Sequence, residues 1–184
     1  MSTSATKIPL TVIAILTTPS TTRRGRRAGR RLVMCVTTKN ERERAYWAEQ
    51  VEPLLDDDVE VRGECDQDQK ADLLARARAL LFPVQWPEPF GLVMTEAMAC
   101  GTPVVAWRNG SVPEVVADGE TGFIVSSVEK MAAAIDRVDE LDPWTMRARV
   151  ERQFSADAMV AGYERVYQEV LAHEGGRAGR VPRP

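Results

Sequence analysis

From Arg31 onward, short apolar runs alternate with stretches whose apolar positions recur at helical spacing. Arg31 to Val36 predicts a strand. Asn40 is placed to cap a helix reaching about Leu55, with Ala45, Ala48, Val51 and Leu55 on one face. Val59 to Arg62 predicts a short strand, and Asp68 a cap for a helix carrying Ala71, Leu74, Ala75 and Arg78. Ala79 to Val84 is a strand that enters the Pro87/Pro89 loop. Leu92 to Ala99 is a helix stopped by Gly101, and Val104 to Trp107 is the next strand. Asn109-Gly110 marks a turn, Ser111 a cap for a short helix through Val116, and Phe123 to Val125 a further strand. Three helical segments follow, Val128 to Val138, Pro143 to Phe154 and Ala156 to Ala172, the last capped by Ser155. Strands separated by helices imply a doubly wound, Rossmann-like parallel α/β sheet with a helical C-terminus, and such sheets bind ligands at the carboxyl ends of their strands.

Charge divides the chain unevenly. Residues 1–31 hold one lysine and six arginines and no acidic residue, so the rest is strongly acidic although the chain as a whole is −3. An acidic body argues against nucleic acid as a partner. Cys35, Cys65 and Cys100 are far apart, no CxxC occurs, and His173 is the only histidine. Neither a disulfide framework nor a metal site is expected, and reduced thiols point to a cytoplasmic protein. The apolar run from Ile8 to Leu16 is too short to span a bilayer and lacks a small-residue cleavage site after it. An acid-free, Ser-, Thr- and Arg-rich start also fits an organellar transit peptide, with nothing else in the chain to support it.

The chemistry concentrates between Trp86 and Ala106. Two carboxylates, Glu88 and Glu96, flank Gly91 at the start of a predicted helix. Gly91 lets a ligand approach the backbone, and the first-turn amides of Gly91, Leu92 and Val93 favour an anionic group. Pro87 and Pro89 stiffen the approach and aim Glu88 outward. Glu96, one turn deeper, is suited to accept two hydrogen bonds from a vicinal diol such as a ribose. Taken alone, each glutamate reads as readily as a helix-dipole partner or an ordinary surface residue. Their neighbours change that balance.

Glu88-Pro89-Phe90-Gly91-Leu92-Val93, then Glu96-Ala97-Met98-Ala99-Cys100-Gly101-Thr102-Pro103-Val104-Val105-Ala106, resembles the nucleotide-sugar-binding C-terminal domain of retaining GT-B glycosyltransferases of family four (glycosyl transferases group 1). Asn109-Gly110-Ser111-Val112-Pro113-Glu114 through Gly122-Phe123-Ile124-Val125 is similar to the family's next block. The resemblance covers roughly residues 30–170. It implies transfer of a hexose from a nucleoside-diphosphate sugar with retention of configuration, without a bound metal or other cofactor. Glu88 would contact hydroxyls of the donor sugar near the reacting carbon, as the catalytic residue. Backbone amides at Phe90, Gly91 and Leu92 would bind sugar and diphosphate, Val93 would lie beside the nucleotide, and Glu96 would hold the ribose. Trp107 and Arg108 stand where the family often has small or polar residues; strand-end packing is the simpler account of them, lining the site the other.

The expected division is an atypical segment 1–29, a nucleotide-sugar-binding domain 30–173 and a flexible tail 174–184. The family's acceptor-binding domain has no counterpart here, so a separate acceptor domain or subunit is an expected partner. Its basic Gly-Arg and Lys-Gly pair for the diphosphate is also missing from residues 1–29. The run Arg23 to Arg31 reads first as the solvent face of a helix end leading into the strand at Leu32. Its other readings are a substitute diphosphate clamp, a contact with anionic lipid that would make the protein peripheral to the membrane, and a nonspecific nucleic-acid contact. The alternative function is a truncated, non-catalytic remnant that keeps the fold, with or without nucleotide binding. A nicotinamide-dependent oxidoreductase ranks last, because no G-x-G-x-x-G follows a predicted strand.

Overall fold

The computed structural model describes residues 11–17 and 31–178. They fall into two units, Met1–Arg147 and Ala148–Pro184. The first holds one six-stranded sheet in the order β3-β2-β1-β4-β5-β6. Its strands are β1 (Thr11–Thr17), β2 (Arg31–Thr37), β3 (Val59–Arg62), β4 (Ala77–Phe82), β5 (Val104–Trp107) and β6 (Gly122–Val125). The helices are α1 (Glu41–Tyr46), α2 (Gln67–Ala75), α3 (Leu92–Ala99), α4 (Val112–Val115), α5 (Val128–Arg137), α6 (Pro143–Gln153) and α7 (Ala156–Ala178).

The doubly wound α/β class is as expected, with one addition. β1 lies inside the segment set apart as atypical, and it occupies the centre of the sheet. It pairs antiparallel with both β2 and β4, so β2 and β4 run the same way, whereas the pairs β2/β3, β4/β5 and β5/β6 are parallel. The result is a mixed sheet in Rossmann order whose central strand is reversed. Of the run Ile8 to Leu16, the part at 8–10 lies outside the described residues. No helix among the described residues is long and apolar enough to cross a membrane.

Alternation along the strands sorts side chains to two faces. Ala79, Val105, Phe123 and Val125 pack against Met131, Ala134 and Ile135 of α5. Their neighbours Leu80 and Val104 point the other way and are fully buried, as are Leu74 of α2 and Met94 and Met98 of α3. Thr102 Oγ1 donates to the Leu74 carbonyl at 2.6 Å, a buried bond that fixes α2 against the end of α3. α3 itself stops in a Schellman arrangement, with Gly101 N bonded to Met98 O and Thr102 N to Ala97 O.

Local expectations fail in three places. The helix expected from Asn40 to Leu55 ends at Tyr46 and continues as a π turn over Trp47–Val51 and a 3-10 turn over Glu52–Leu54. Ala45 and Ala48, taken as its inner face, are exposed. Its N-terminus is as expected, for Asn40 accepts from Glu43 N at 3.0 Å. α2 is capped by Asp66, not Asp68. Asp66 accepts from Gln69 N at 2.8 Å and Gln69 returns the bond to Asp66 N at 3.1 Å, a complete capping box that outcompetes a lone acidic residue. β4 begins and ends two residues earlier than its apolar run suggests.

Of the cysteines, Cys35 is buried, and burial, followed by its hydrogen bond with Cys65, pushes its thiol up to about 12. Arg31, the last of the basic run, opens β2 at the edge away from the carboxyl ends of the parallel strands and pairs with Glu60. Arg31 therefore does not serve as a diphosphate clamp at the carboxyl edge. The rest of the run lies outside the described residues.

In the second unit, Ser155 caps α7 by accepting from Ala158 N at 3.2 Å. α7 continues to Ala178, past residue 174.

The capping box predicts a specific asymmetry. Asp66→Ala should lower unfolding free energy by about 1 kcal/mol, while Asp68→Ala should change it by less than about 0.5 kcal/mol. Urea denaturation of the two variants checks this, and equal effects would contradict the assignment.

Candidate functional site

Beyond the carboxyl end of β4 the chain cannot continue as helix or sheet, because Pro87 and Pro89 lack amide donors. The loop folds on itself instead. Glu88 N donates to Trp86 O at 2.8 Å, and the Trp86 indole Nε1 donates to Glu88 Oε2 at 2.9 Å. The Glu88 carboxylate is thus aimed by an aromatic residue two positions earlier.

A second segment clamps this loop from outside. Ser111 N donates to Glu88 O at 3.0 Å, and Ser111 Oγ donates to Phe90 O at 2.8 Å. Gly110 lies against Glu88 so closely that a Cβ there would sit 2.4 Å from the Glu88 carbonyl oxygen and 2.5 Å from its nitrogen. Only glycine fits. The two motif blocks, Glu88 to Ala106 and Asn109 to Val125, are therefore brought together in space. Ser111 stands at the N-cap position of α4 but makes no side-chain cap bond there. Its hydroxyl is used on the Phe90 carbonyl instead, which corrects the expected capping role.

Gly91 opens α3 in the left-handed region, at φ 73° and ψ 65°. A Cβ at this point would meet Met94 Cε at 2.7 Å and Phe82 Cζ at 3.2 Å. Strain and crowding both reserve the position for glycine. The amides of Leu92 and Val93 open the helix and have no intrahelical acceptor, whereas Met94 N donates to Gly91 O at 2.9 Å. Phe90 and Leu92 beside them are exposed and Val93 is half-buried.

Glu96 is held quite differently. Lys70 Nζ, from α2, lies 2.6 Å from Glu96 Oε1, with the two side chains 20% and 25% exposed. Glu96 Oε2 has no accessible surface and no hydrogen-bond partner. Its charge also reaches Cys100, whose thiol is raised first by burial and then by Glu96, with Arg147 acting in the opposite sense. All six residues expected at the site, Glu88, Phe90, Gly91, Leu92, Val93 and Glu96, lie on one continuous loop and helix start at the carboxyl edge. Sequence reasoning missed Lys70, 26 positions from its partner and on another helix. It also missed Trp86, although a donor two residues before a carboxylate in a proline-stiffened loop was a usable signal.

Of the two readings weighed for Trp107 and Arg108, packing holds for Trp107, while the cavity that both line includes none of the six expected site residues. Trp107 and Arg108 line that cavity, of about 320 Å³, with Gln85, Asn109 and Ser126 at the ends of β4, β5 and β6, and Trp107 also packs against the α5-side core. Among the described residues no group of three metal-ligating side chains occurs.

Sheet order, edge and loop together define a Rossmann-like α/β domain whose candidate site lies at the carboxyl ends of its strands. Residues 24–153 match the family model described as glycosyl transferases group 1, and the chain belongs to that family. It is similar to the N-acetyl-alpha-D-glucosaminyl L-malate synthase of Bacillus anthracis, 36% identical in an alignment of 113 residues that covers 57% of this chain and 29% of that protein. Among solved structures, it is similar to AviGT4, a glycosyltransferase involved in avilamycin A biosynthesis, with a TM-score of 0.63 and 28% identity over 78% of this chain and 44% of that one. It is also similar to Anabaena Alr3699/HepE in complex with UDP, with a TM-score of 0.58 and 25% identity over 77% of this chain and 40% of that one. The chain spans less than a third of the length of the curated relatives it matches first.

The clamp carries a stability prediction. Gly110→Ala should cost about 2–4 kcal/mol, because the added methyl must push Glu88 away, and Ser111→Ala about 1 kcal/mol for one lost hydrogen bond. Denaturant titration measures both. A Gly110→Ala protein of unchanged stability would show that the two segments are not in contact.

Proposed function

We propose that this chain forms the donor side of a retaining glycosyltransferase that moves a hexose from a nucleoside-diphosphate sugar to an acceptor hydroxyl. The observation that carries the reading is the clamped loop: a left-handed Gly91 opens α3 between a carboxylate aimed by Trp86 and one held by Lys70. Family membership makes a sugar donor the substrate class, and the UDP bound by the Anabaena neighbour supports a nucleoside diphosphate as its carrier.

In this reading Glu88 accepts hydrogen bonds from sugar hydroxyls near the anomeric carbon and fixes the ring. The amides of Phe90, Gly91 and Leu92 take the sugar and diphosphate oxygens, Val93 lies against the nucleotide, and Glu96 receives the ribose diol. The bond from the anomeric carbon to the diphosphate breaks while the acceptor hydroxyl oxygen bonds from the same face and passes its proton to the departing diphosphate oxygen, so configuration is retained. The diphosphate gathers negative charge as it leaves. Backbone amides and the helix dipole already point at that charge, so they stabilise it without reorganising. No metal or other cofactor is assigned to the reaction. The acceptor is assigned to polypeptide other than the part described.

Calorimetric titration with UDP, GDP and ADP tests the donor side directly. One of the three should bind, and Glu96→Ala should weaken it by about 1–3 kcal/mol through the lost charge-assisted hydrogen bonds. A folded protein that binds none of them contradicts the donor reading; unchanged affinity in the variant removes Glu96 from the ribose role.

A further inference from the structure

Glu96 is three-quarters buried, one of its oxygens meets Lys70 Nζ at 2.6 Å, and the other has neither partner nor accessible surface. A buried acceptor oxygen without a partner is costly. Glu96 is the fifth residue of α3, too deep for the free amides of the first turn to reach. Among the described residues, Lys70 is the only side chain bonded to it.

Lys70 is itself rigidly presented. Its backbone nitrogen donates to Asp66 O at 2.9 Å, within the turn closed by the Asp66/Gln69 capping box. Further along, Leu74 O accepts from buried Thr102 Oγ1, so α2 is pinned to the far end of α3. A side chain held on such a base is suited to set the orientation of its partner.

We propose that Lys70 is a positioning residue for the diol grip: its ammonium holds and orients the Glu96 carboxylate, and the unpartnered Oε2 is the acceptor that a ribose hydroxyl completes. The inference rests on the donor reading, with the ligand class a nucleoside diphosphate. Because Oε2 has no accessible surface, the carboxylate turns about the Lys70 contact when the diol arrives. The compact ammonium, with three donors on a flexible stem, permits that turn without losing the charge contact. Without Lys70 no described side chain holds the carboxylate in place, and the grip on the diol goes with it.

A structural staple between α2 and α3 would affect every ligand alike, whereas this role affects only ligands with a diol. The test therefore compares the nucleoside diphosphate that the protein binds with its 2′,3′-dideoxy counterpart, by calorimetry on the full chain. The unaltered protein should prefer the ribonucleotide by about tenfold or more, as charge-assisted hydrogen bonds imply. Lys70→Met should reduce that preference to within about threefold while leaving the dideoxy affinity in place, and Lys70→Arg, which keeps the charge but not the compact ammonium, should restore only part of it. In a Glu96→Gln background, Lys70→Met should cause no further loss of preference. If Lys70→Met does not fold, Lys70→Gln takes its place in the same comparison. A folded variant that keeps the original preference, or loses both ligands equally, overturns the inference. If the unaltered protein shows no preference, the ribose role of Glu96 itself fails, a result distinguishable from failure at Lys70.

Discussion

The contact on which the site depends is the backbone approach of Gly110 to Glu88. With no Cβ at residue 110, Ser111 comes near enough to donate twice, from its amide to Glu88 O and from its hydroxyl to Phe90 O. These bonds hold a loop that has little else to hold it, since two prolines deprive it of donors. The loop in turn sets where Gly91 enters α3 and where the Glu88 carboxylate points. One close approach thus passes from β5 through the Asn109-Gly110 turn to both ends of the candidate donor site.

The two carboxylates are maintained by different physics. Glu88 sits on the loop and is oriented by a neutral indole donor. Glu96 sits on a helix packed in the core and is compensated by a full charge from a separate helix. The first arrangement suits a group that must adapt to a reacting sugar; the second suits an anchor, held at one oxygen, for an unreactive part of the ligand. A binding site that holds one end firmly and the other adjustably lets binding energy at the anchor serve positioning at the reacting end.

Much of this was legible in the residues. Gly101, the Gly91 helix start and the short apolar runs of β5 and β6 carry local rules that tertiary structure did not override. Where reading failed, the cause was competition or distance. Asp66 and Gln69 satisfy each other and displace Asp68 as the cap. Ser111 has a near neighbour to cap and a distant carbonyl to bond, and it bonds the distant one. The helix after Asn40 gives way to a π turn and a 3-10 turn, with Ala45 and Ala48 exposed, so periodicity of small residues alone did not identify a buried face. Lys70 carries no local signal at all, because its meaning lies in a partner on another helix. The reversed central strand β1 is invisible to periodicity too, since a short apolar run does not encode the direction in which it joins a sheet.

The account stands or falls on whether a nucleoside diphosphate occupies the carboxyl edge between Glu88 and Glu96. Amide chemical-shift mapping of the isotopically labelled full chain, titrated with nucleoside diphosphates, observes that occupancy residue by residue. The predicted result is that the largest shifts fall on the amides of Phe90, Gly91, Leu92 and Val93, with smaller ones around Lys70 and Glu96. Shifts confined to another region of the sheet, or none at saturating ligand, would contradict it.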